Sequence, residues 1–227
     1  MSPLRALVFD AYGTLFDVHS VVALCEEFWP GKGASLSQLW RTKQLEYTWQ
    51  RSLMRRYEDF GKVTLAGLRY ACEALGLPLD EERCRRLAGA YLRLATFPEA
   101  RAALAELKAM KLKLAILSNG SPAMLRPLVA NAGLRDLVGA VISVDPRKTY
   151  KPSPDVYRLA VARLRVPKAA IGFVSSNCWD ACGAKSFGFR VFWINRAGAP
   201  LDELGAAPDH TIRSLDELPP LLGRAGS

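Results

Sequence analysis

Three apolar runs of this 227-residue chain end in side chains able to do chemistry on a small molecule. Asp10 closes Leu4–Phe9 and precedes Tyr12-Gly13. Ser118-Asn119 closes Leu112–Leu117, and Ser175-Ser176-Asn177 closes Ala170–Val174. A carboxylate can serve as nucleophile or base, and hydroxyls and amides can hold an anion or a water beside it. Lys151, whose backbone Pro152 biases toward an extended form, offers a cation to neutralise and orient the Asp10 carboxylate. Taken singly, each has a plainer reading. Asp10 caps a turn as readily as it attacks a substrate, and a loop lysine is ordinarily solvated.

The elements around these residues argue for bringing them together. Leu4–Phe9 is a short, continuous apolar run, the pattern of a strand buried on both faces of a parallel sheet. Val18 to about Phe97 then reads as helical throughout: Val18–Phe28 ended by Pro30-Gly31, Leu36–Leu53 opened by Ser35 as N-cap, about Lys62–Leu75 stopped by Gly76, and Asp80 to about Leu94 with acidic residues at its start. From Glu99 the pattern alternates. A helix through Ala100, Ala103, Leu104 and Leu107 precedes strand Leu112–Leu117. Helix Pro122–Asn131, strand Ala140–Val144 and a helix capped by Ser153 follow. Strand Ala170–Val174, helix Trp179–Phe187 and strand Arg190–Ile194 complete the alternation, with one short strand and a helix in the tail. The expected fold is α/β: a doubly wound, parallel, Rossmann-like sheet core with right-handed crossovers, formed by residues 1–17 and 98–227, with an inserted helical cap domain over 18–97. In such a sheet the three polar strand ends share one edge, where ligands bind.

Composition narrows the function classes. The net charge is +9, but the densest arginine sets, Arg51, Arg55, Arg56 and Arg83, Arg85, Arg86, fall at helical spacings without interleaved stacking aromatics. Solvated helix faces, or a field that gathers small anions, account for the charge better than nucleic acid does. No apolar run is long enough for a membrane span, and the N-terminus lacks a secretory pattern. Cys25, Cys72, Cys84, Cys178 and Cys182 are odd in number and lack zinc-ligand spacing, as expected of reduced thiols in a cytoplasmic protein. Apolar helical surface at Trp40, Tyr47 and Trp49 suggests a homodimer. His19 and His210 have no convincing partners and receive no role.

Asp10-x-x-x-Thr14, Ser118-Asn119, Lys151-Pro152 and Ser175-Ser176-Asn177-x-Trp179-Asp180, in this order, resemble the four motifs of the haloacid dehalogenase (HAD) superfamily over the chain up to about Asn195. Its phosphatases carry an acid two residues after the first aspartate and acidic residues early in the fourth motif. This chain has Tyr12 in the first place and Ser175, Ser176 and Asn177 in the second, thin charge for Mg²⁺. The Asp-Ala-Tyr-Gly-Thr and Ser-Ser-Asn-x-Trp-Asp stretches instead resemble the L-2-haloacid dehalogenases. A departing halide needs no proton, so the missing acid fits that chemistry.

The resemblance implies hydrolysis of short L-2-haloalkanoic acids to 2-hydroxy acids and halide, with inversion at C2 and without cofactor or metal. Asp10 would be the nucleophile and form an ester. Asp180 would activate water, with Ser175 and Asn177 around it, and Lys151 would keep both carboxylates ionised. Thr14 and Tyr157 would orient Asp10 and Lys151. Ser118 would hold the substrate carboxylate. Arg41, which a helix places on one stripe with Leu45 and Trp49, would take the halide beside Asn119 and Phe60; as a lone residue it reads as an arginine snorkelling at the cap edge. Tyr12, Leu45, Phe60 and Trp179 would wall C2 from water, although isolated aromatics are ordinarily core. Two rivals stay open: a Mg²⁺-dependent phosphatase of the same superfamily, and a non-catalytic protein that binds a small anion.

Overall fold

The computed structural model describes residues 3–224; residues 1–2 and 225–227, the ends of the N-terminal and tail readings, lie outside the described residues. Six strands form one all-parallel sheet: β1 (Ala6–Phe9), β2 (Lys113–Ser118), β3 (Ala140–Ser143), β4 (Ile171–Ser175), β5 (Arg190–Ile194) and β6 (His210–Ile212). Their order is β3-β2-β1-β4-β5-β6, a Rossmann-like arrangement. The chain winds one way from β1 and the other way from β4, so a crevice opens at the carboxyl ends of these two neighbours. Phe9 pairs with Ile116 on β2 and with Val174 on β4. The residues just beyond, Asp10, Ser118 and Ser175, therefore emerge together at that edge. Every β1 and β4 residue is buried, which explains their unbroken apolar sequence.

Helices α1 (Val22–Phe28), α2 (Gly33–Leu53), α3 (Phe60–Ala74) and α4 (Glu81–Ala90) intervene between β1 and β2. The chain leaves and rejoins the sheet layer side by side: Asp17 N donates to Ala95 O (2.8 Å) and Phe97 N to Leu15 O (3.1 Å). Helices α5 (Ala100–Ala109), α6 (Pro122–Asn131), α7 (Pro154–Leu164), α8 (Cys178–Phe187) and α9 (Leu218–Arg224) accompany the remaining strands. Among the described residues no helix is long and apolar enough to cross a membrane.

Helix ends differ from expectation for local reasons. Helix α2 starts at Gly33 rather than Leu36, because Ser35 Oγ donates to Lys32 O instead of capping. Helix α3 starts at Phe60, two residues early, because Asp59 accepts from Gly61 N and Lys62 N. Helix α4 stops at Ala90: residues 91–93 tighten into turns, and the Tyr91 ring packs 4.8 Å from that of Trp40. Two expectations for α2 are corrected. Its buried stripe runs through Leu36, Ser37, Trp40, Arg41, Gln44 and Thr48, against α3, and leaves Leu45 and Trp49 half-buried at the margin. Trp40 is fully covered and supplies no surface for a partner; Leu53 and Met54, at the end of α2, are exposed.

Candidate active site

Strand β1 delivers Asp10, which is 6% exposed, to the crevice. The turn behind it requires Gly13, whose φ of +89° is costly for any residue with a Cβ. Three side chains fix both carboxylate oxygens. Lys151 Nζ donates to Oδ1 (2.9 Å), while Asn177 Nδ2 (2.9 Å) and Thr14 Oγ1 (3.2 Å) donate to Oδ2. Oδ2 thus has both lone-pair directions occupied, and Oδ1 keeps one free.

The Lys151 ammonium also donates to Asp180 Oδ2 (2.8 Å) and lies 5.0 Å from the centre of the Phe173 ring. It is 1% exposed. Burial opposes its charge, but the Asp10 and Asp180 carboxylates together outweigh burial and hold it protonated above the ordinary lysine range. Asp180, fully buried in the first turn of α8, receives Tyr157 Oη on Oδ1 (2.7 Å). Burial is the largest influence on Asp180 and raises its carboxyl above the usual range; the Lys151 charge pulls it back and Asp10 adds to the rise. The close approach of α8 to Tyr157 depends on Gly183, where a Cβ would stand 2.5 Å from Pro152 Cβ and 2.7 Å from Tyr157 Oη.

Arg41 reaches this group from α2. Its Nη2 donates to Tyr12 O (3.3 Å) and Asn177 Oδ1 (3.4 Å), and its Nη1 to Gln44 Oε1 (2.7 Å). Burial pulls the guanidinium down from the ordinary arginine range. Among the described residues no carboxylate lies within ion-pairing distance of it. Beside it the Tyr12 ring packs 5.2 Å from Phe60 and 6.1 Å from Tyr91. The Tyr12 hydroxyl is buried without a hydrogen-bond partner, and burial raises its pKa far above the ordinary tyrosine range. Asn119 Oδ1 accepts from Lys151 N (3.0 Å), Ser118 Oγ from Gly120 N (3.1 Å) and Ser175 Oγ from Asn177 N (3.2 Å). Trp179 is half-buried, edge-on to Trp49 at 5.4 Å, and lines a cavity that also reaches Lys151.

The structure thus gathers Asp10, Thr14, Arg41, Asn177, Lys151, Asp180, Tyr157, Tyr12 and Phe60 around one point. Ser118, Asn119 and Ser175 hold the loops at the same edge, and Trp49 stands against Trp179; Leu45 is half-buried on α2. Sequence reasoning missed several members. Gln44 holds Arg41, and its spacing of three from Arg41 on a helix was the available signal. Ser176 N donates to Thr14 Oγ1 (2.9 Å). Arg196, paired with Glu99, donates to Gly13 O and Thr14 O and so pins the turn behind Asp10. His19 and His210 do have partners, Ser37 and the Phe192 ring.

The side chains do not fit a divalent ion. Lys151 already occupies the space between the two carboxylates, the following strand end is neutral, and among the described residues no group of three or more His, Cys, Asp or Glu is placed to hold a metal ion.

Comparison with known proteins places this geometry. A family model described as hydrolase, haloacid dehalogenase-like hydrolase, matches residues 4–188. The chain is 53% identical over 215 residues to a (S)-2-haloacid dehalogenase of Pseudomonas sp. (strain YL), covering 95% of this chain and 93% of that one. It is 50% identical over 218 residues to the (S)-2-haloacid dehalogenase H-109 of Pseudomonas putida, covering 96% and 97%. The structure of the L-2-haloacid dehalogenase from Xanthobacter autotrophicus with chloropropionic acid covalently bound superimposes with a TM-score of 0.91 at 46% identity, over 97% of this chain and 98% of that one. From its strand-end aspartate to its fourth motif, this chain belongs to the haloacid dehalogenase-like hydrolase family.

Proposed function

We propose that this chain hydrolyses short L-2-haloalkanoic acids to 2-hydroxy acids, inverting C2, through an ester on Asp10. The carrying observation is the pairing of a buried, triply held Asp10 with an Arg41 that has no carboxylate partner: a nucleophile on one side and an unsatisfied cation on the other. In the first step the free lone pair of Asp10 Oδ1 attacks C2 from the face opposite the halogen. The C–O bond forms as the carbon–halogen bond breaks, and the halide leaves with the bonding electrons. The negative charge of Asp10 passes to the halide, which Arg41 receives with Asn119 and Phe60 beside it. No proton is needed, in keeping with Tyr12 two residues after the nucleophile.

In the second step Asp180 takes a proton from a water held by Ser175 and Asn177. The hydroxide attacks Cγ of Asp10 and the Cγ–Oδ1 bond opens. The 2-hydroxy acid departs carrying Oδ1 and the proton that Asp180 took, and the Asp10 carboxyl releases its remaining proton to water. Lys151 keeps Asp10 and Asp180 ionised despite their proximity. Thr14 orients Asp10, and Tyr157, expected to orient Lys151, donates to Asp180 and orients it instead. Ser118 and backbone N–H groups near Tyr12 hold the substrate carboxylate, and Tyr12, Leu45, Phe60 and Trp179 exclude water from C2. Holding nucleophile and carbon in line is worth up to about 7–11 kcal/mol. The covalently bound chloropropionic acid of the Xanthobacter relative supports an ester route here.

The proposal includes residues 1–17 and 98–227 as the core and 18–97 as the cap. It includes a cytoplasmic location, in keeping with five free thiols, and a homodimer, for which Leu53 and Met54, 85% and 61% exposed, provide apolar surface. The test is halide release from (S)-2-chloropropionate and chloroacetate with and without a chelator. Release unaffected by the chelator is expected; metal-dependent phosphate release from an aryl phosphate, without halide, would overturn the reading.

A further inference from the structure

Gln44 has no place in the chemistry above, yet it is fully buried and makes the shortest hydrogen bond that Arg41 has. We propose that Gln44, set by Thr64, is the positioning residue that aims Arg41 at the departing halide; the inference rests on the dehalogenase reading. Gln44 Oε1 accepts from Arg41 Nη1 (2.7 Å), Gln44 Nε2 donates to Thr64 Oγ1 (2.6 Å), and Thr64 Oγ1 donates to Phe60 O (2.6 Å). The direction of this chain is forced. A threonine hydroxyl has one hydrogen, and a carbonyl oxygen can only accept. The Thr64 hydrogen is therefore spent on Phe60 O, in the first turn of α3, and its oxygen must face a donor. The Gln44 amide can meet that demand only with its NH₂ group, which turns its carbonyl toward Arg41.

The other contacts of Arg41 are looser, at 3.3 Å to Tyr12 O and 3.4 Å to Asn177 Oδ1, so Gln44 sets the plane of the guanidinium. The choice of an amide over a carboxylate matters equally. Glu at this position would pair with Arg41 and neutralise it before any halide arrived. A neutral dipole satisfies the donor, avoids an orphaned buried N–H, and leaves the positive charge available for an anion formed in the reaction. Phe60, whose carbonyl anchors the relay, also stands beside Tyr12 in the pocket wall, 5.2 Å between ring centres. The wall and the cation that receives the halide are thus held by one run of hydrogen bonds between α2 and α3.

The experiment separates the two chemical steps. Rapid quench of the enzyme with (S)-2-chloropropionate follows the first-turnover halide burst, and mass spectrometry follows decay of the Asp10 ester. Gln44→Met keeps side-chain length and loses the acceptor; the burst is expected to slow about 100-fold, the scale of misplacing a reacting partner by roughly 1 Å, while ester decay keeps its rate. Gln44→Glu is expected to slow the burst at least as much. Thr64→Val, which frees the amide to turn, slows the burst and Thr64→Ser restores it; this pair carries the test if a Gln44 variant fails to fold. A purely structural role would slow both steps alike. Wild-type bursts in Gln44→Met and Gln44→Glu, equal slowing of both steps, or a Thr64→Ser variant as slow as Thr64→Val would overturn the proposal. Absence of halide release from the wild-type enzyme would instead overturn the function it rests on.

Discussion

Replacing Lys151 by methionine removes a buried cation while nearly preserving side-chain length. In the wild type the ammonium lies 2.9 Å from Asp10 Oδ1 and 2.8 Å from Asp180 Oδ2, so these two oxygens are at most about 5.7 Å apart, the two bonds laid end to end. With an effective dielectric constant of about 20, two negative charges at that separation repel by about 3 kcal/mol. That energy is equivalent to about two pH units. Without the cation one of the pair must hold a proton at neutral pH. Asp180, already raised by burial, is the expected site. The variant loses its general base, and the acid limb of its residual activity moves up by at least about two pH units, because the lost attraction acts over a shorter distance than the repulsion it offset.

Stability follows the same titration. A carboxyl whose folded pKa lies above its unfolded value favours the fold below the unfolded value, and that contribution is lost as pH rises through the folded one. Lys151→Met is therefore destabilised by about 3–5 kcal/mol at pH 7, and regains part of this at pH 5. The assays are halide release across pH and thermal melting at pH 5 and 7. A variant with more than about a tenth of wild-type activity at neutral pH would refute the reasoning, which assigns it a loss of at least about 1.4 kcal/mol. An acid limb that has not moved, or a melting deficit equal at both pH values, would refute it as well.

Further predictions concern the supports of the two carboxylates. Tyr157→Phe removes the donor on Asp180 Oδ1, a bond that favours the ionised form; its kcat acid limb should move upward, and an unmoved limb would separate Tyr157 from the base. Thr14→Val loses a donor to Asp10 Oδ2 and the acceptor for Ser176 N. It should cost about 1–3 kcal/mol in denaturant unfolding and lower kcat; unchanged stability would contradict these bonds. Gly183→Ala drives a methyl group into Pro152 and Tyr157, at a cost of about 1–3 kcal/mol, with activity falling as Asp180 is displaced; full activity would show that α8 can retreat without consequence.

The strand ends were legible in the sequence because a buried parallel strand is an uninterrupted apolar run, and Asp10, Ser118 and Ser175 interrupt or follow such runs. The helical insertion was legible from its 3.6-residue periodicity, but the rotation of α2 was not. Arg41, Leu45 and Trp49 do lie on one side, yet the face that α3 buries is centred on Trp40 and Gln44, a choice made by tertiary packing. Arg196 was equally hidden. A lone arginine after a strand carries no local sign that it will reach Gly13 and Thr14, far away in the chain. Helix starts depended on single hydrogen bonds: Ser35 and Asp59 are both good capping types, and only Asp59 caps.

The central claim is that Asp10 accepts carbon and that water then attacks the aspartyl carbonyl. One turnover of (S)-2-chloropropionate by excess enzyme in ¹⁸O-water tests it by mass spectrometry of the lactate and of the peptide containing Asp10. The account predicts unlabelled lactate, whose new oxygen comes from Asp10, and one ¹⁸O in the Asp10 carboxylate. Labelled lactate with an unlabelled Asp10 would mean that water attacks C2 directly, and would contradict it.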